Sequence, residues 1–173
     1  AVGVVGDRKR ALLDRTKSFK EMADSATELK VKQRTAAISN DLDAMRLALQ
    51  ADVESQLDSQ PLTPMGIMGA IARVLPDNIA VIEEAVTTTN TTLERLGVLK
   101  NTTGYFGHRG WGLGWGLGCT LGAQLAWPDR PVLGILVEGS AMYGVQGLWS
   151  AARYNIPATF VICHHAQYHI PNI

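Results

Sequence analysis

The sequence predicts an α/β protein in which helices flank a parallel sheet, preceded by a mainly helical segment. Val132–Val137 and residues 158–163 are apolar runs of the length of buried strands. An amphipathic stretch separates them and predicts a helix, whose apolar stripe is formed by Leu148, Trp149, Ala151, Ala152 and Tyr154. The two strands of such a strand–helix–strand unit run parallel, and the crossover between them is right-handed. Residues 8–60 are charged and alanine-rich, with apolar side chains at roughly helical spacing.

Composition describes a soluble globular protein. The chain has 173 residues, a formal net charge of zero and 46% hydrophobic residues. It has neither the basic excess expected of a nucleic-acid-binding protein nor an apolar run long enough to cross a membrane. The first residues do not have the pattern of a signal peptide, so we expect a cytoplasmic protein. Cys119 and Cys163 lie in apolar surroundings and are interpreted as two buried thiols rather than a disulfide.

The first sixty residues are interpreted as the end of a preceding domain plus a helical linker. Residues 1–6 form a short apolar run that ends at a Gly-Asp turn, as the last strand of a preceding unit would. The periodicity of residues 8–60 indicates two or three helices. We therefore expect one domain over residues 1–60 and another over residues 61–173.

Local signals define the next elements. Thr63 is placed to cap a helix that has Pro64 at its first position and continues through residues 65–74. Residues 79–82 are β-branched or small and apolar, which predicts a strand. Residues 89–96 are predicted to form a helix.

Residues 104–127 form a glycine-rich stretch in which glycine alternates with tryptophan and leucine before a helix that includes residues 122–126. So many glycines are entropically costly, which favours a backbone that must approach a ligand closely; tight helix packing through small residues is the alternative. The spacing is not that of a dinucleotide-binding fingerprint, and no strand is expected directly before it. His108 and Arg109 either contact an anion in the predicted cleft or belong to an exposed loop.

Polar residues follow both strands of the predicted unit. Glu138 comes directly after the first strand, and His164 and His165 follow the second. The carboxyl ends of parallel strands meet at one edge of the sheet, and open α/β sheets bind their ligands there. This edge is the predicted binding site.

The residues around this edge also carry a family resemblance. Residues 137–140 read Val-Glu-Gly-Ser and residues 164–165 read His-His, with 27 positions between Glu138 and His165. With the intervening residues 140–143, 148–149 and 154–157, the segment from about residue 61 onward resembles the cofactor-binding domain of thiamine diphosphate enzymes of the benzoylformate decarboxylase and acetolactate synthase group. In that family the two motifs read Gly-Asp-Gly-Ser and Asn-Asn.

The resemblance implies a set of site residues. The metal ligands would be the side chains of Glu138 and His165 and the main-chain carbonyl of Gln167. The cofactor contacts would be Gly139, Ser140 and Ala141 at the diphosphate, the carbonyl of Trp111 at the aminopyrimidine, and Leu113 as the bulky residue that holds the cofactor bent. No catalytic acid or base is assigned in this chain.

Residues 137, 138, 164 and 165 depart from the family pattern, and three of these changes bear on the cofactor. Glu138 is one methylene longer than the family's aspartate, and Val137 places a side chain where the family has glycine. His165 replaces an amide, and an imidazole suits Zn²⁺, Cu²⁺ or Ni²⁺ better than Mg²⁺. These changes predict weakened binding of the usual cofactor pair.

The resemblance also implies an activity and partners. Thiamine diphosphate and Mg²⁺ would be the cofactors, and a 2-oxo acid would be decarboxylated or used in carboligation. The family's cofactor domain continues past the position that matches Ile173, so the fold is expected to be incomplete at the C-terminus. A pyrimidine-binding domain outside these residues would supply the activating glutamate across the interface of a homo-oligomer. We expect this chain alone to be inactive.

Two other functions remain open. A non-catalytic protein could keep the fold for assembly, because an unfinished sheet edge and an uncovered apolar face favour association. A transition-metal site could instead be formed by His164, His165 and His169 together with Glu138, since imidazoles and a carboxylate are adequate zinc ligands.

Overall fold

The computed structural model describes residues 5–101, 103–107, 110 and 112–166. The chain divides into two compact units, Ala1–Met45 and Arg46–Ile173. This division falls inside a long helix, and the domain boundary expected near residue 60 stays a prediction. Residues 1–4, which carry most of the strand predicted over residues 1–6, lie outside the described part.

Two helices account for the charged N-terminal segment. Helix α1 (Arg8–Met22) is capped by Asp7, whose side chain accepts a 2.9 Å hydrogen bond from the amide of Arg10. Helix α2 (Ser25–Gln56) follows after a short break and buries Leu49 and Val53. In the part of the chain that the structure describes, no helix has both the length and the hydrophobicity needed to cross a membrane.

Helix α3 (Pro64–Val74) confirms the predicted cap. Thr63 Oγ1 accepts a 3.0 Å hydrogen bond from the amide of Gly66, and Pro64 stands at the first helical position, where its missing N–H has no helical partner to lose. Met68 is completely buried and anchors this helix in the core.

Four parallel strands form the sheet. Strands β1 (Ala80–Glu84), β2 (Tyr105–Gly107), β3 (Val132–Val137) and β4 (Thr159–Cys163) lie in the order β2-β1-β3-β4. The sheet with its flanking helices confirms the predicted fold class. Strand β2, which the sequence did not predict, lies inside the glycine-rich stretch of residues 104–127 and pairs with β1.

The helices of the α/β unit are short. They are α4 (Val86–Thr89), α5 (Thr92–Leu96), α6 (Trp115–Ala126), α7 (Glu138–Gly144) and α8 (Gly147–Arg153). The single helix predicted over residues 89–96 is divided between α4 and α5, because Asn90 and Thr91 adopt positive φ values of 40° and 56°. The single helix predicted between β3 and β4 is likewise two helices, α7 and α8.

The core lies on both faces of the central strands. Leu133 and Ile135 of β3 belong to one apolar cluster, whereas Leu136 packs with Leu117 in another. Burial on both faces explains why these strands read as continuous apolar runs rather than as alternating patterns.

Helix α8 corrects a second expectation. Leu148, Trp149 and Tyr154 belong to the apolar stripe predicted for this helix, yet 45%, 66% and 66% of their surfaces are exposed. The helix packs inward through small residues: Ala151, which also belongs to the predicted stripe, lies against the apolar cluster, and Gly147 approaches Leu117 too closely to carry a side chain. Close approach by the backbone leaves the large side chains on the outer side.

Arg130 joins the segments that lead into three strands. Its guanidinium donates to the carbonyls of Asn78 (2.6 Å) and Ile79 (2.8 Å), to Asn101 Oδ1 (2.8 Å) and to the carbonyl of Thr103 (2.9 Å). These residues precede β1 and β2, and Arg130 itself precedes β3. We call this set of contacts the Arg130 clamp. It holds together the amino-terminal edge of the sheet, opposite the predicted site.

Candidate functional site

Strand pairing brings together the polar residues that follow β3 and β4. Val137 and Cys163, the last residues of these strands, are partners in the parallel register. Glu138 is consequently beside His164 and His165, although 27 residues separate Glu138 from His165. The predicted convergence at the carboxyl edge is present in the fold.

The carboxylate of Glu138 is the centre of this group. Its Oε1 accepts hydrogen bonds from the amides of Ala166 (2.9 Å) and His165 (3.3 Å). The Nδ1 atoms of His164 and His165 lie 3.4 and 3.5 Å from the same oxygen. The His164 side chain is 72% exposed, whereas that of His165 is 28% exposed. One carboxylate oxygen of Glu138 thus faces the backbone amides and imidazoles of the residues that directly follow β4.

Electrostatics keep this carboxylate ionised. Desolvation alone would raise the pKa of Glu138, but its own backbone N–H, the amide of Ala166 and the charge and amide of His165 together lower the pKa below its usual range. The site therefore presents a negative charge at neutral pH. An anion-binding role for this side chain is excluded, and a cation is the ligand that it favours.

The second oxygen of the same carboxylate is available. Oε2 of Glu138 is buried and has no hydrogen-bond partner within the described residues. Buried acceptors are normally satisfied, so an open one beside an imidazole fits a position for a bound cation. Over the described part of the chain, however, no cluster of three or more His, Cys, Asp or Glu side chains is arranged to hold a metal ion. A cation here would need further ligands from outside these side chains.

The predicted diphosphate contacts form the first turn of α7. Gly139 follows Glu138 directly, and Ser140 and Ala141 are 2% and 9% exposed. Ser140 Oγ lies 3.3 Å from the carbonyl of Val137 and 3.4 Å from that of Glu84, so the hydroxyl faces the protein interior. A phosphate contact at Ser140 would have to come from its backbone amide.

The predicted ring contact lies just before α6. Leu113 is 58% exposed and precedes Gly114, the N-cap of this helix, whose φ is +93°. A large apolar side chain left in solvent beside a tight turn is suited to packing against a bound ring. Nothing in the geometry joins Leu113 to Glu138 directly.

Several predicted residues lie outside the described part of the chain. They are Trp111 and Gln167, expected at the aminopyrimidine and at the metal, and His108, Arg109 and His169. Their proposed roles stay predictions.

Sequence reasoning missed the two buried carboxylates that end β1. Glu84 is 3% exposed and accepts hydrogen bonds from the amides of Gly114 (2.6 Å) and Gly116 (2.7 Å). Glu83 is 7% exposed and accepts from Ala85 N, Thr89 Oγ1 and Tyr105 Oη, at 2.8, 2.6 and 2.9 Å. The available signal was two adjacent charged residues closing a buried apolar strand, a place where carboxylates are rare unless partnered.

Comparison with known proteins shows the family to which this part of the chain belongs. Residues 85–171, half of the chain, match the family model of the thiamine pyrophosphate enzyme C-terminal TPP binding domain. The chain belongs to this family. Thiamine pyrophosphate is another name for thiamine diphosphate, so the match confirms the resemblance.

Two curated relatives are similar to this TPP-binding domain protein over more than half of its length. Benzoylformate decarboxylase of Pseudomonas aeruginosa is 38% identical over 108 residues, which is 62% of this chain and 20% of that protein. The protein IlvX of Mycobacterium tuberculosis, described as an acetolactate synthase large subunit, is 36% identical over 125 residues. The match covers 68% of this chain and 23% of that protein. The chain thus spans about a fifth of the length of these relatives.

Solved structures agree with the family. The thiamine diphosphate-dependent 4-hydroxybenzoylformate decarboxylase of Rhodococcus jostii is 34% identical with a TM-score of 0.60, over 64% of this chain and 21% of that one. Benzoylformate decarboxylase of Polynucleobacter necessarius aligns with a TM-score of 0.57 at 22% identity, over 66% and 22% of the two chains, which supports the fold alone.

Proposed function

We propose that this TPP-binding domain binds thiamine diphosphate and Mg²⁺ as part of a 2-oxo acid decarboxylase or carboligase. The observation that supports the proposal most directly is the carboxylate of Glu138 at the end of β3, which lies beside His165 at the end of β4 and whose Oε2 has no partner among the described residues. The positions are those at which the family places its metal ligands. The names of the curated relatives support a decarboxylase or acetolactate synthase activity for the whole enzyme.

Each predicted residue has a role in this proposal. Glu138 and His165 hold the cation, with the carbonyl of Gln167, and the first turn of α7 supplies amides at Gly139, Ser140 and Ala141 to the diphosphate. Leu113 and the carbonyl of Trp111 contact the rings. When bound, thiamine diphosphate supplies the nucleophilic carbon and the electron sink that 2-oxo acid chemistry requires.

The substrate, the activating group and the assembly belong to the same proposal. The substrate is a small 2-oxo acid, and the acid or base that acts on it comes from a pyrimidine-binding domain in a homo-oligomer. The two free cysteines, Cys119 and Cys163, support a reducing, cytoplasmic location. Burial raises the pKa of both thiols and makes them poor nucleophiles, so neither is assigned to the chemistry.

A calorimetric titration of the purified chain with thiamine diphosphate tests the proposal. The titration is done with Mg²⁺ and again with a chelator, for the native chain and for Glu138→Ala. Saturable binding that requires both Mg²⁺ and Glu138 is expected. A native chain that does not bind in either buffer would disprove the assigned cofactor function.

A second candidate function is supported by a different observation. No residue of helix α8 is fully buried, and Leu148 and Trp149 remain exposed together with the neighbouring Tyr154. Exposed aromatic side chains favour association, which supports an assembly role without catalysis. Light scattering distinguishes this role: a native chain that self-associates and a Trp149→Glu variant that does not would support it, and a monomeric native chain would oppose it.

A further inference from the structure

Glu84 occupies an unusual place at the end of the central strand β1. It is 3% exposed, and its two carboxylate oxygens each accept a backbone hydrogen bond from the glycine-rich segment. Oε1 lies 2.6 Å from the amide of Gly114, and Oε2 lies 2.7 Å from the amide of Gly116, 30 and 32 residues further along the chain. Charge-assisted hydrogen bonds of this length are among the strong ones in proteins.

The glycines are fitted to this carboxylate. Gly114 has a φ of +93°, a conformation that a side chain would strain. A Cβ on Gly116 would stand 2.6 Å from Oε2 of Glu84, closer than real atoms approach. The backbone therefore comes close to Glu84 at Gly116 because that residue carries no side chain, and Gly114 allows the positive φ that the segment adopts.

The same residue also reaches the start of α7. Its main-chain carbonyl lies 3.4 Å from the hydroxyl of Ser140, a long hydrogen bond between buried groups. The side chain of Glu84 thus contacts residues 112–116, the segment that contains Leu113. The backbone of Glu84 contacts the first turn of α7. These are the segments assigned to the thiamine ring and to the diphosphate, and Glu84 joins them without being exposed to a ligand.

We propose that Glu84 is a positioning residue, whose carboxylate holds residues 112–116 so that Leu113 is ready to pack against the thiamine ring. The assignment rests on the proposed cofactor function. Without the anchor, the segment would populate other conformations, and a ligand that needs one of them binds more weakly by the fraction that remains competent.

The neighbouring carboxylate provides a matched control. Glu83 is buried to a similar degree, but its partners are Ala85, Thr89 and Tyr105, none of which is assigned to the cofactor. If Glu84 only stabilises the fold, replacing either glutamate should have the same consequences. If Glu84 positions the ring contact, the two replacements should differ in ligand binding.

The experiment compares Glu84→Gln with Glu83→Gln in the full chain. Glutamine keeps the size of the side chain, but its NH₂ group cannot accept a hydrogen bond from a backbone amide. One of the two anchoring hydrogen bonds is therefore lost. Thiamine diphosphate affinity in Mg²⁺ is measured by calorimetry, and hydrogen exchange of the amides of residues 112–117 is followed without ligand. We expect both variants to melt at lower temperature, but only E84Q to weaken binding by about tenfold and to accelerate exchange in this segment.

Each result has a definite meaning. Equal effects of E84Q and E83Q on affinity, or exchange in residues 112–117 that E84Q does not change, would overturn the positioning role while leaving the cofactor function in place. A native chain that does not bind thiamine diphosphate would overturn both. If E84Q does not fold, Glu84→Asp keeps the charge on a shorter side chain, and native affinity in that variant would overturn the role.

Discussion

The phenol of Tyr105 donates a 2.9 Å hydrogen bond to the buried carboxylate of Glu83, which ties the three-residue strand β2 to β1 through a side chain. Burial, followed by the charge and hydrogen bond of Glu83, raises the pKa of Tyr105 well above its ordinary value of 10.0. The folded protein therefore keeps this proton at a pH at which an unfolded tyrosine loses it.

The first prediction concerns alkaline stability. Because the pKa of Tyr105 is raised by folding, its contribution to stability is fully present below about pH 10 and is lost as the pH rises further. Tyr105→Phe should be less stable than the native chain at pH 7, and the difference should narrow above pH 10. Urea unfolding at several pH values measures it; a constant difference from pH 7 to 11 would contradict the assigned pKa.

A second prediction separates two glycines of helix α6. A Cβ on Gly116 would stand 2.6 Å from Oε2 of Glu84 and 2.6 Å from Cδ2 of Leu136, whereas one on Gly118 would meet nothing within 4 Å. Gly116→Ala should lower the free energy of unfolding by about 1–3 kcal/mol through overpacking. Gly118→Ala should raise it by about 0.5–1 kcal/mol, because alanine favours the helix.

Chemical denaturation of these two alanine variants provides the measurement. The pair is matched in helix and in chemistry, so only the neighbouring atoms differ. Similar unfolding midpoints for both variants would show that α6 does not pack on Glu84 as described.

The third prediction tests the Arg130 clamp. Arg130→Lys keeps the charge but loses the planar fork that reaches several carbonyls, as well as the stacking on Trp127 at 4.6 Å. We expect a loss of about 1–3 kcal/mol in the free energy of unfolding. The control is Arg73→Lys. One guanidinium nitrogen of Arg73, Nη2, donates to both carboxylate oxygens of Glu54, and the two side chains are 55% and 62% exposed.

Exposed ion pairs contribute about 0–1 kcal/mol, so Arg73→Lys should change stability little. Thermal and urea unfolding of both variants decide the matter. An equal loss for the two arginines would mean that the carbonyl contacts of Arg130 contribute no more than a surface pair.

Some of this architecture could be predicted from residues alone. The cap at Thr63, strand β3 and the convergence of Glu138 with His165 follow from local chemistry and from the handedness of parallel crossovers. Each depends on a signal contained in a few consecutive residues or on a general rule of chain topology.

Other features have no such signal. Strand β2 is three residues long, too short to show a period, and the anchoring of Gly114 by Glu84 joins a side chain to a backbone amide 30 residues away. The exposure of Trp149 follows from the close approach of Gly147 to Leu117, which periodicity alone cannot show. The features that the sequence pattern missed are determined by contacts between backbone atoms and residues far away in the sequence.

The last prediction concerns the two histidines beside Glu138. His165 is 28% exposed and is the residue that we propose as a metal ligand in place of the family's amide, whereas His164 is 72% exposed. An amide oxygen suits Mg²⁺ better than an imidazole nitrogen does, so His165→Asn should tighten Mg²⁺-dependent binding of thiamine diphosphate, by about tenfold for a gain of 1.4 kcal/mol. His164→Asn is the matched control and should leave the affinity nearly unchanged.

Calorimetric titrations at several Mg²⁺ concentrations test both variants. Weaker binding by His165→Asn would show that the imidazole itself is the preferred ligand. Equal gains in affinity for the two variants would place neither histidine specifically at the metal.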